Sequence, residues 1–116
     1  MRIVLMSGLL LAAATPALAQ DGAALFSAQC KTCHTLTGTG TPAGPSLKGV
    51  VGRKAATAPG FKFSPGLVKK GGTWTDSTLD AYLAAPATYA PGTRMFARVA
   101  QPQARAAIIA YLKTQK

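Results

Sequence analysis

Apolar residues recur at helical spacing in three parts of the chain, and long segments rich in Gly, Pro, Thr and Lys separate these parts. A first helix is predicted from Gly22 to about Lys31, because Asp21 is a suitable N-cap and Phe26 lies on the resulting apolar face.

Two further helices are predicted in the second half of the chain. Thr75 can cap a helix that runs through Leu83 and stops before Pro86. Pro102 fits the first turn of the last helix. That helix carries one apolar stripe, formed by Ala104, Ile108, Tyr111 and Leu112.

The segments 35–45 and 52–72 show no sustained period and are predicted as loops, and the chain has neither an alternating strand pattern nor an internal repeat. Loops this long normally count against a compact domain. Loops of this length are compatible with a compact domain if they surround a large apolar group. The predicted fold is therefore all-α, with three or four short helices and long loops around such a group.

Residues 1–19 are predicted to be a cleaved signal peptide. Arg2 precedes an apolar run of about a dozen residues, and Pro16 is followed by a small-x-small cleavage site, Ala17-Leu18-Ala19. The alternative is an uncleaved membrane anchor, but a bilayer span needs ~20 residues. The expected product is residues 20–116, one domain that is exported to the periplasm without stable membrane insertion.

The chain is strongly basic, with a formal charge of +10, and removal of Arg2 leaves twelve basic residues against three acidic ones. This balance favours association with acidic surfaces. Nucleic acid is a weaker candidate, because the basic residues are scattered and an exported protein rarely meets DNA.

The reactive and metal-binding residues are concentrated in Cys30-Lys31-Thr32-Cys33-His34, which contains both cysteines and the only histidine of the chain. In a Cys-x-x-Cys-His motif each thiol adds to one haem vinyl group and the imidazole binds the iron, so the pattern predicts one covalent haem c.

Two other uses of these residues fit the sequence less well. A thioredoxin-like redox pair expects strand–helix alternation and has no need of His34. Structural zinc usually takes four ligands, whereas Cys30, Cys33 and His34 provide three.

Met95 is the only methionine beyond the leader, and it lies in a Pro-Gly-Thr-Arg-Met loop instead of a helical stripe. It is the predicted second axial ligand, because a thioether opposite histidine raises the reduction potential of a haem. The alternative is an open sixth position, which would permit ligand binding or peroxidase-like chemistry.

The chain resembles the class I cytochromes c, the mitochondrial and bacterial c2-like group, over Asp21 to Lys116. Besides the Cys-x-x-Cys-His motif, the resemblance rests on landmarks in the same order: Gly22, Phe26, Gly44-Pro45, Gly52-Arg53-Lys54, Gly60-Phe61, Trp74, Tyr82-Leu83, Pro91-Gly92-Thr93-Arg94-Met95 and Tyr111-Leu112.

The resemblance implies roles for the matching positions. Pro45 would accept a hydrogen bond from His34, and Arg53 and Trp74 would meet a haem propionate. Tyr82 would approach the Met95 sulfur, and Thr93 would hold that loop. Gly22 and Phe26 would pack against Ile108 and Tyr111.

Three positions depart from the family pattern. Phe63 stands where a tyrosine is common, Leu67 replaces a frequent asparagine, and Phe96 places the aromatic residue one position early. Because two polar groups have become apolar, we expect a drier haem pocket than in relatives.

The resemblance implies a diffusible, monomeric, non-enzymatic single-electron carrier that docks on acidic surfaces of membrane or periplasmic redox proteins. A dedicated haem subunit of a periplasmic dehydrogenase is an alternative. The docking residues expected around the haem face are Lys48, Lys54, Lys62, Lys69, Lys70, Arg94 and Arg98.

Overall fold

The computed structural model describes Gly8 and residues 21–116, so the predicted signal peptide lies outside the described residues apart from Gly8. Within this part of the chain the structure is all-α, as predicted, and its β contacts are two isolated bridges. The helices are α1 (Gly22–Gln29), α2 (Pro65–Lys70), α3 (Asp76–Ala84), α4 (Pro86–Tyr89) and α5 (Pro102–Lys113).

Both predicted side-chain caps are confirmed. The Asp21 carboxylate accepts hydrogen bonds from the first turn of α1, at 3.0 Å from Ala23 N. Thr75 and Thr78 form a reciprocal capping box at the start of α3, because each hydroxyl accepts from the other residue's backbone N–H.

Helix α1 ends two residues earlier than predicted. The backbone N–H groups of Cys30 and Lys31 both donate to the Phe26 carbonyl, at 2.8 and 3.0 Å. The chain then tightens into a turn in which His34 N donates to Cys30 O at 2.9 Å. The Cys-x-x-Cys-His motif therefore lies on this turn, directly after the helix.

Two short helices were not predicted. Helix α2 begins at a Ser64 N-cap followed by Pro65, and α4 begins at Pro86. Each is too short to display a helical period, since α2 buries only Leu67 and α4 only Pro86. The Ser-Pro pair was the available signal for α2.

The first and last helices cross at Gly22, as the family resemblance implied. A Cβ at Gly22 would lie 2.2 Å from the Ala107 carbonyl oxygen, so only glycine permits this approach. One turn further along, the rings of Phe26 and Tyr111 lie 5.7 Å apart. This contact fixes the helix from which the attachment turn emerges.

Helix α3 also packs on α5, and the Arg105 guanidinium bridges the two elements. Its Nε donates to Asp80 at 2.7 Å, while Nη1 donates to the Val99 carbonyl at 2.9 Å. Among the described residues, no helix combines the length and apolar character that crossing a membrane requires.

Candidate functional site

The His34 imidazole is half-buried and is oriented by the loop that follows it. Its Nδ1 lies 2.9 Å from the Pro45 carbonyl oxygen, which can only accept, so Nδ1 carries the proton and donates. Burial lowers the pKa of His34, although the Pro45 hydrogen bond opposes that shift. The ring is thus neutral near pH 7, and its Nε2 lone pair is available to a metal.

Gly44 and Thr41 shape this loop around the histidine, and the sequence reasoning gave them no such role. A Cβ at Gly44 would lie 2.8 Å from His34 Nδ1 and 2.8 Å from the Cys33 carbonyl oxygen. The Thr41 hydroxyl donates to the same Cys33 carbonyl at 2.6 Å. The detectable signal was the glycine before Pro45, which allows backbone and ring to come this close.

Cys30 and Cys33 form no disulfide; Cys30 is half-buried and Cys33 is exposed. Burial, and secondarily the nearby Cys33, raises the pKa of the Cys30 thiol. Within the described part of the chain, no three His, Cys, Asp or Glu side chains are grouped to hold a metal ion. The geometry therefore gives no support to the zinc alternative.

Met95 is half-buried and is connected to Tyr82 through Thr93. The Met95 N–H donates to Thr93 Oγ1 at 3.3 Å, and the same buried hydroxyl lies 2.7 Å from the Tyr82 hydroxyl. Burial raises the pKa of Tyr82, with the Thr93 hydrogen bond acting in the opposite sense. The phenol is therefore neutral and fixes the backbone from which the Met95 side chain extends.

Arg53 and Trp74 are brought together by two backbone hydrogen bonds, Trp74 N to Arg53 O at 2.9 Å and Gly52 N to Trp74 O at 2.7 Å. The Arg53 guanidinium also donates to the Ser46 and Lys48 carbonyls at 3.2 and 3.1 Å. Its Nε is buried and has no hydrogen-bond partner among the described residues. An anionic oxygen at this position would satisfy it.

Mutual contacts of three aromatic rings connect the Arg53–Trp74 pair with the Tyr82–Thr93 pair. The centroid of Trp74 lies 5.2 Å from that of Tyr82 and 5.9 Å from that of Tyr89, and the two tyrosine rings are 5.6 Å apart. The sequence reasoning missed Tyr89, which lies on the unpredicted helix α4.

The three departures from the family pattern have different surroundings. Leu67 is buried, and Phe63 is half-buried with its ring edge against Phe61 at 5.0 Å. Phe96, in contrast, is 89% exposed.

The site is thus a Cys-x-x-Cys-His turn on an all-α scaffold, with one oriented imidazole, one methionine and one half-buried arginine whose Nε has no hydrogen-bond partner among the described residues. This class of fold and site is that of a small haem-binding protein. The cytochrome c family profile matches residues 19–116, so the chain belongs to the cytochrome c family.

Individual relatives agree with this assignment. The chain is 50% identical to "cytochrome c2 iso-2" of Magnetospirillum molischianum over 88 residues, which are 75% of this chain and 91% of the relative. It is 43% identical to cytochrome c of Ulva intestinalis, covering 86% and 92% of the two chains. The solved structure of cytochrome cH from Methylobacterium extorquens matches with a TM-score of 0.74 and 44% identity, over 81% of this chain and 95% of that one.

Cytochromes c are electron carriers with one covalently attached haem c, and this chain has the two cysteines that the attachment needs. The described residues fit that group. The neutral imidazole offers a free nitrogen, and the unpartnered Arg53 Nε suits a carboxylate oxygen.

Proposed function

We propose that this protein is a periplasmic single-electron carrier without enzymatic activity. In this proposal Cys30 and Cys33 would hold the haem through thioether bonds, and His34 and Met95 would be the ligands of its iron. The observation that carries the proposal is the His34 Nδ1 to Pro45 hydrogen bond, which leaves Nε2 as the free ligand atom.

The residues around the haem have separate tasks. Pro45 fixes the ring plane of His34 and makes its free nitrogen more basic. Tyr82 and Thr93 hold the Met95 backbone through the hydrogen bonds described above. Arg53 Nε and the Trp74 indole N–H meet a propionate.

Two strong axial ligands suit electron transfer more than catalysis. When bound, the haem supplies a one-electron couple, and a thioether opposite histidine raises its potential. The protein supplies rigidity, because α1, the Pro45 loop and the Thr93 hydroxyl each restrict one part of the site. An open sixth position would instead permit ligand binding or peroxidase-like chemistry.

The charge distribution supports docking on acidic redox partners. Two of the three carboxylates are paired with α5, since Asp76 binds Lys113 and Asp80 binds Arg105. The seven basic residues expected around the haem face are all exposed. Their attraction to an acidic partner should weaken as salt is added.

We further propose that the carrier is a monomer and that residues 1–19 export it.

The absorption spectrum of the oxidised haem-loaded protein tests the ligand set. We expect a weak sulfur-to-iron band near the red edge, and this band should disappear in Met95→Ala. Haem should stay attached in acidified acetone and should be released from Cys30→Ala/Cys33→Ala. Absence of the band in the unmodified protein would favour the open-site alternative. Co-purification as a stable complex with a dehydrogenase would favour the subunit alternative.

A further inference from the structure

Two carboxylates of α3 pair with basic residues of α5, and the two pairs differ in what else they reach. Asp76 binds Lys113, whose ammonium makes no other hydrogen bond to the described residues. Asp80 binds Arg105 at 2.7 Å, and the same guanidinium also donates to two backbone carbonyls that follow the Met95 loop. The Asp80–Arg105 pair thus connects both helices to the loop of the proposed iron ligand.

The Arg105 guanidinium uses different nitrogens for the carboxylate and for the carbonyls. Its Nε donates to Asp80, whereas Nη1 donates to the Val99 and Ala100 carbonyls at 2.9 and 3.0 Å. Because a guanidinium is planar, a carboxylate that fixes Nε also fixes the direction of Nη1. The arginine side chain is 12% exposed, so without the carboxylate its Nε would have little access to water. Asp80 therefore orients Arg105 toward the two carbonyls.

The two carbonyls lie at the end of the segment that contains the methionine. Residues 94–98 form no backbone–backbone hydrogen bond with the other described residues, so the backbone of this segment is held at its two ends. At the start, the Thr93 hydroxyl lies 2.7 Å from the Tyr82 hydroxyl. At the end, the N–H of the buried Val99 donates to the Leu83 carbonyl at 2.8 Å. The position of the methionine side chain therefore depends on both ends.

Helix α3 supports this segment at both of its ends. Tyr82 acts at the start. At the end, Leu83 acts directly and Asp80 acts through Arg105. The three residues of α3 lie in about one helical turn, so they form a single rigid support. The family resemblance assigned Tyr82 to this region and gave Asp80 no role.

We propose that Asp80 is a positioning residue for the Met95 ligand: by fixing Arg105, it holds the end of the 94–98 segment and slows the departure of the thioether from the iron. This inference rests on the proposed function, in which Met95 is an iron ligand, and it concerns how long that bond lasts. Loss of the thioether would lower the reduction potential, because methionine opposite histidine is the pairing that raises it. Asp80 acts through Arg105 and not by contact with the iron.

Replacement of Met95 by added imidazole in the oxidised haem-loaded protein tests the proposal. At saturating imidazole the rate is limited by departure of the thioether, and loss of the red-edge band reports that step. Asp80→Ala should raise this rate about fivefold, which corresponds to ~1 kcal/mol for a hydrogen bond to a carboxylate that is 48% exposed. Asp80→Glu should stay within about twofold of the unmodified rate, because it keeps a carboxylate for Arg105.

Asp76→Ala is the matched control, because it removes the other ion pair between α3 and α5, whose lysine has no hydrogen bond to the Met95 segment. Denaturant unfolding measures what each variant costs in stability. Whatever that cost, Asp76→Ala should leave the imidazole rate within about twofold of the unmodified value. Equal acceleration in both alanine variants would overturn the proposal, because general loosening would then explain it. An unchanged rate in Asp80→Ala would overturn it as well.

A double variant shows whether Asp80 acts through Arg105. Arg105→Met keeps an apolar stem but has no donor, so it should also speed the exchange. Adding Asp80→Ala to Arg105→Met should produce little further change, since the two residues act as one unit. A full fivefold acceleration by Asp80→Ala in that background would contradict the proposal. Absence of the red-edge band in the unmodified protein would refute the proposed function itself, whereas a normal band with an unchanged rate in Asp80→Ala would refute the positioning role alone.

Discussion

Gly66 in α2 is expected to control the position of Met95, the proposed iron ligand. The helix lies against the loop that leads to Met95, and a Cβ at Gly66 would lie 1.8 Å from the Pro91 carbonyl oxygen and 2.8 Å from its carbonyl carbon. Both atoms belong to the backbone, so no flexible side chain can move aside. Gly66→Ala must therefore displace α2 or the Pro91–Gly92 backbone.

The size of the effect follows from this geometry. Real Cβ contacts are almost never shorter than 3.0 Å, which leaves a deficit of 1.2 Å at the Pro91 oxygen. Overpacking of this kind typically costs about 1–3 kcal/mol. The better helix propensity of alanine returns at most about 1 kcal/mol. Because both clashing atoms are backbone atoms, the cost lies in the upper part of the overpacking range, at about 2–3 kcal/mol. Subtracting the return of about 1 kcal/mol leaves a net loss of about 1–2 kcal/mol in the free energy of unfolding, or a fall in Tm of roughly 4–16 °C.

The assay combines denaturant unfolding of the haem-loaded protein with the red-edge band of its oxidised form. Gly66→Ala should lower the unfolding free energy and weaken the band, because the displaced segment leads to Met95. Gly22→Ala is the matched control. Its Cβ would lie 2.2 Å from the Ala107 oxygen at the crossing of α1 and α5, so it should cost stability and leave the band intact.

Two results would contradict this reasoning. If Gly66→Ala were more stable than the unmodified protein, the gain in helix propensity would exceed the cost of the clash with Pro91, and the backbone there would move at little cost. Equal weakening of the band in both glycine variants would mean that general loosening, and not displacement of the Pro91 backbone, releases Met95.

Three other changes have defined outcomes. Added imidazole competes with Met95 for the proposed iron site. Arg94→Gln should speed imidazole binding to the oxidised protein about fivefold, because it removes the hydrogen bond from Arg94 to the Lys62 carbonyl that holds the Met95 loop. Arg98→Gln should leave that rate unchanged. Arg53→Gln should lower the reduction potential by tens of mV in a redox titration, because it removes a cation that disfavours the oxidised form; for one electron, about 59 mV is a tenfold change. Since the pKa of Tyr82 is raised on folding, its stabilising contribution is present below about pH 10 and is lost as pH rises through the folded pKa. Tyr82→Phe should flatten that alkaline loss of unfolding free energy, and an unchanged pH profile would argue against it.

The sequence predicted the parts of the fold that follow from local patterns. Asp21 and Thr75 were recognisable as caps because their side chains act within the first turn. Gly22 and Phe26 were placed against Tyr111 by the family resemblance, and the structure confirms that contact.

The parts that were missed depend on contacts distant in sequence or on very short elements. Helices α2 and α4 have six and four residues, too few for a period to emerge. The closeness of Gly66 to Pro91 and the hydrogen bond from Arg94 to Lys62 join segments that no local pattern connects.

The candidate site shows the same division. The cysteines and His34 form a contiguous motif, so they could be found from sequence alone. The Thr93 hydroxyl was assigned to holding the Met95 loop, but its bond to Tyr82 required the fold to bring α3 against that loop. Tyr89 was missed because its role depends on stacking against Trp74.

Because α1 packs on α5, the last helix of the chain, α1 cannot complete its packing until α5 has been synthesised. Phe26 is the one buried residue of α1, and its ring packs on Tyr111. Roughly 80 residues separate the attachment turn from that support, which at about 5–20 residues per second is a delay of ~4–16 s. Throughout that interval Cys30 and Cys33 have already been synthesised, but α5, the helix that supports their turn, has not. The thiols are therefore reachable in a chain that has not yet closed, before the last helix fixes the geometry around them.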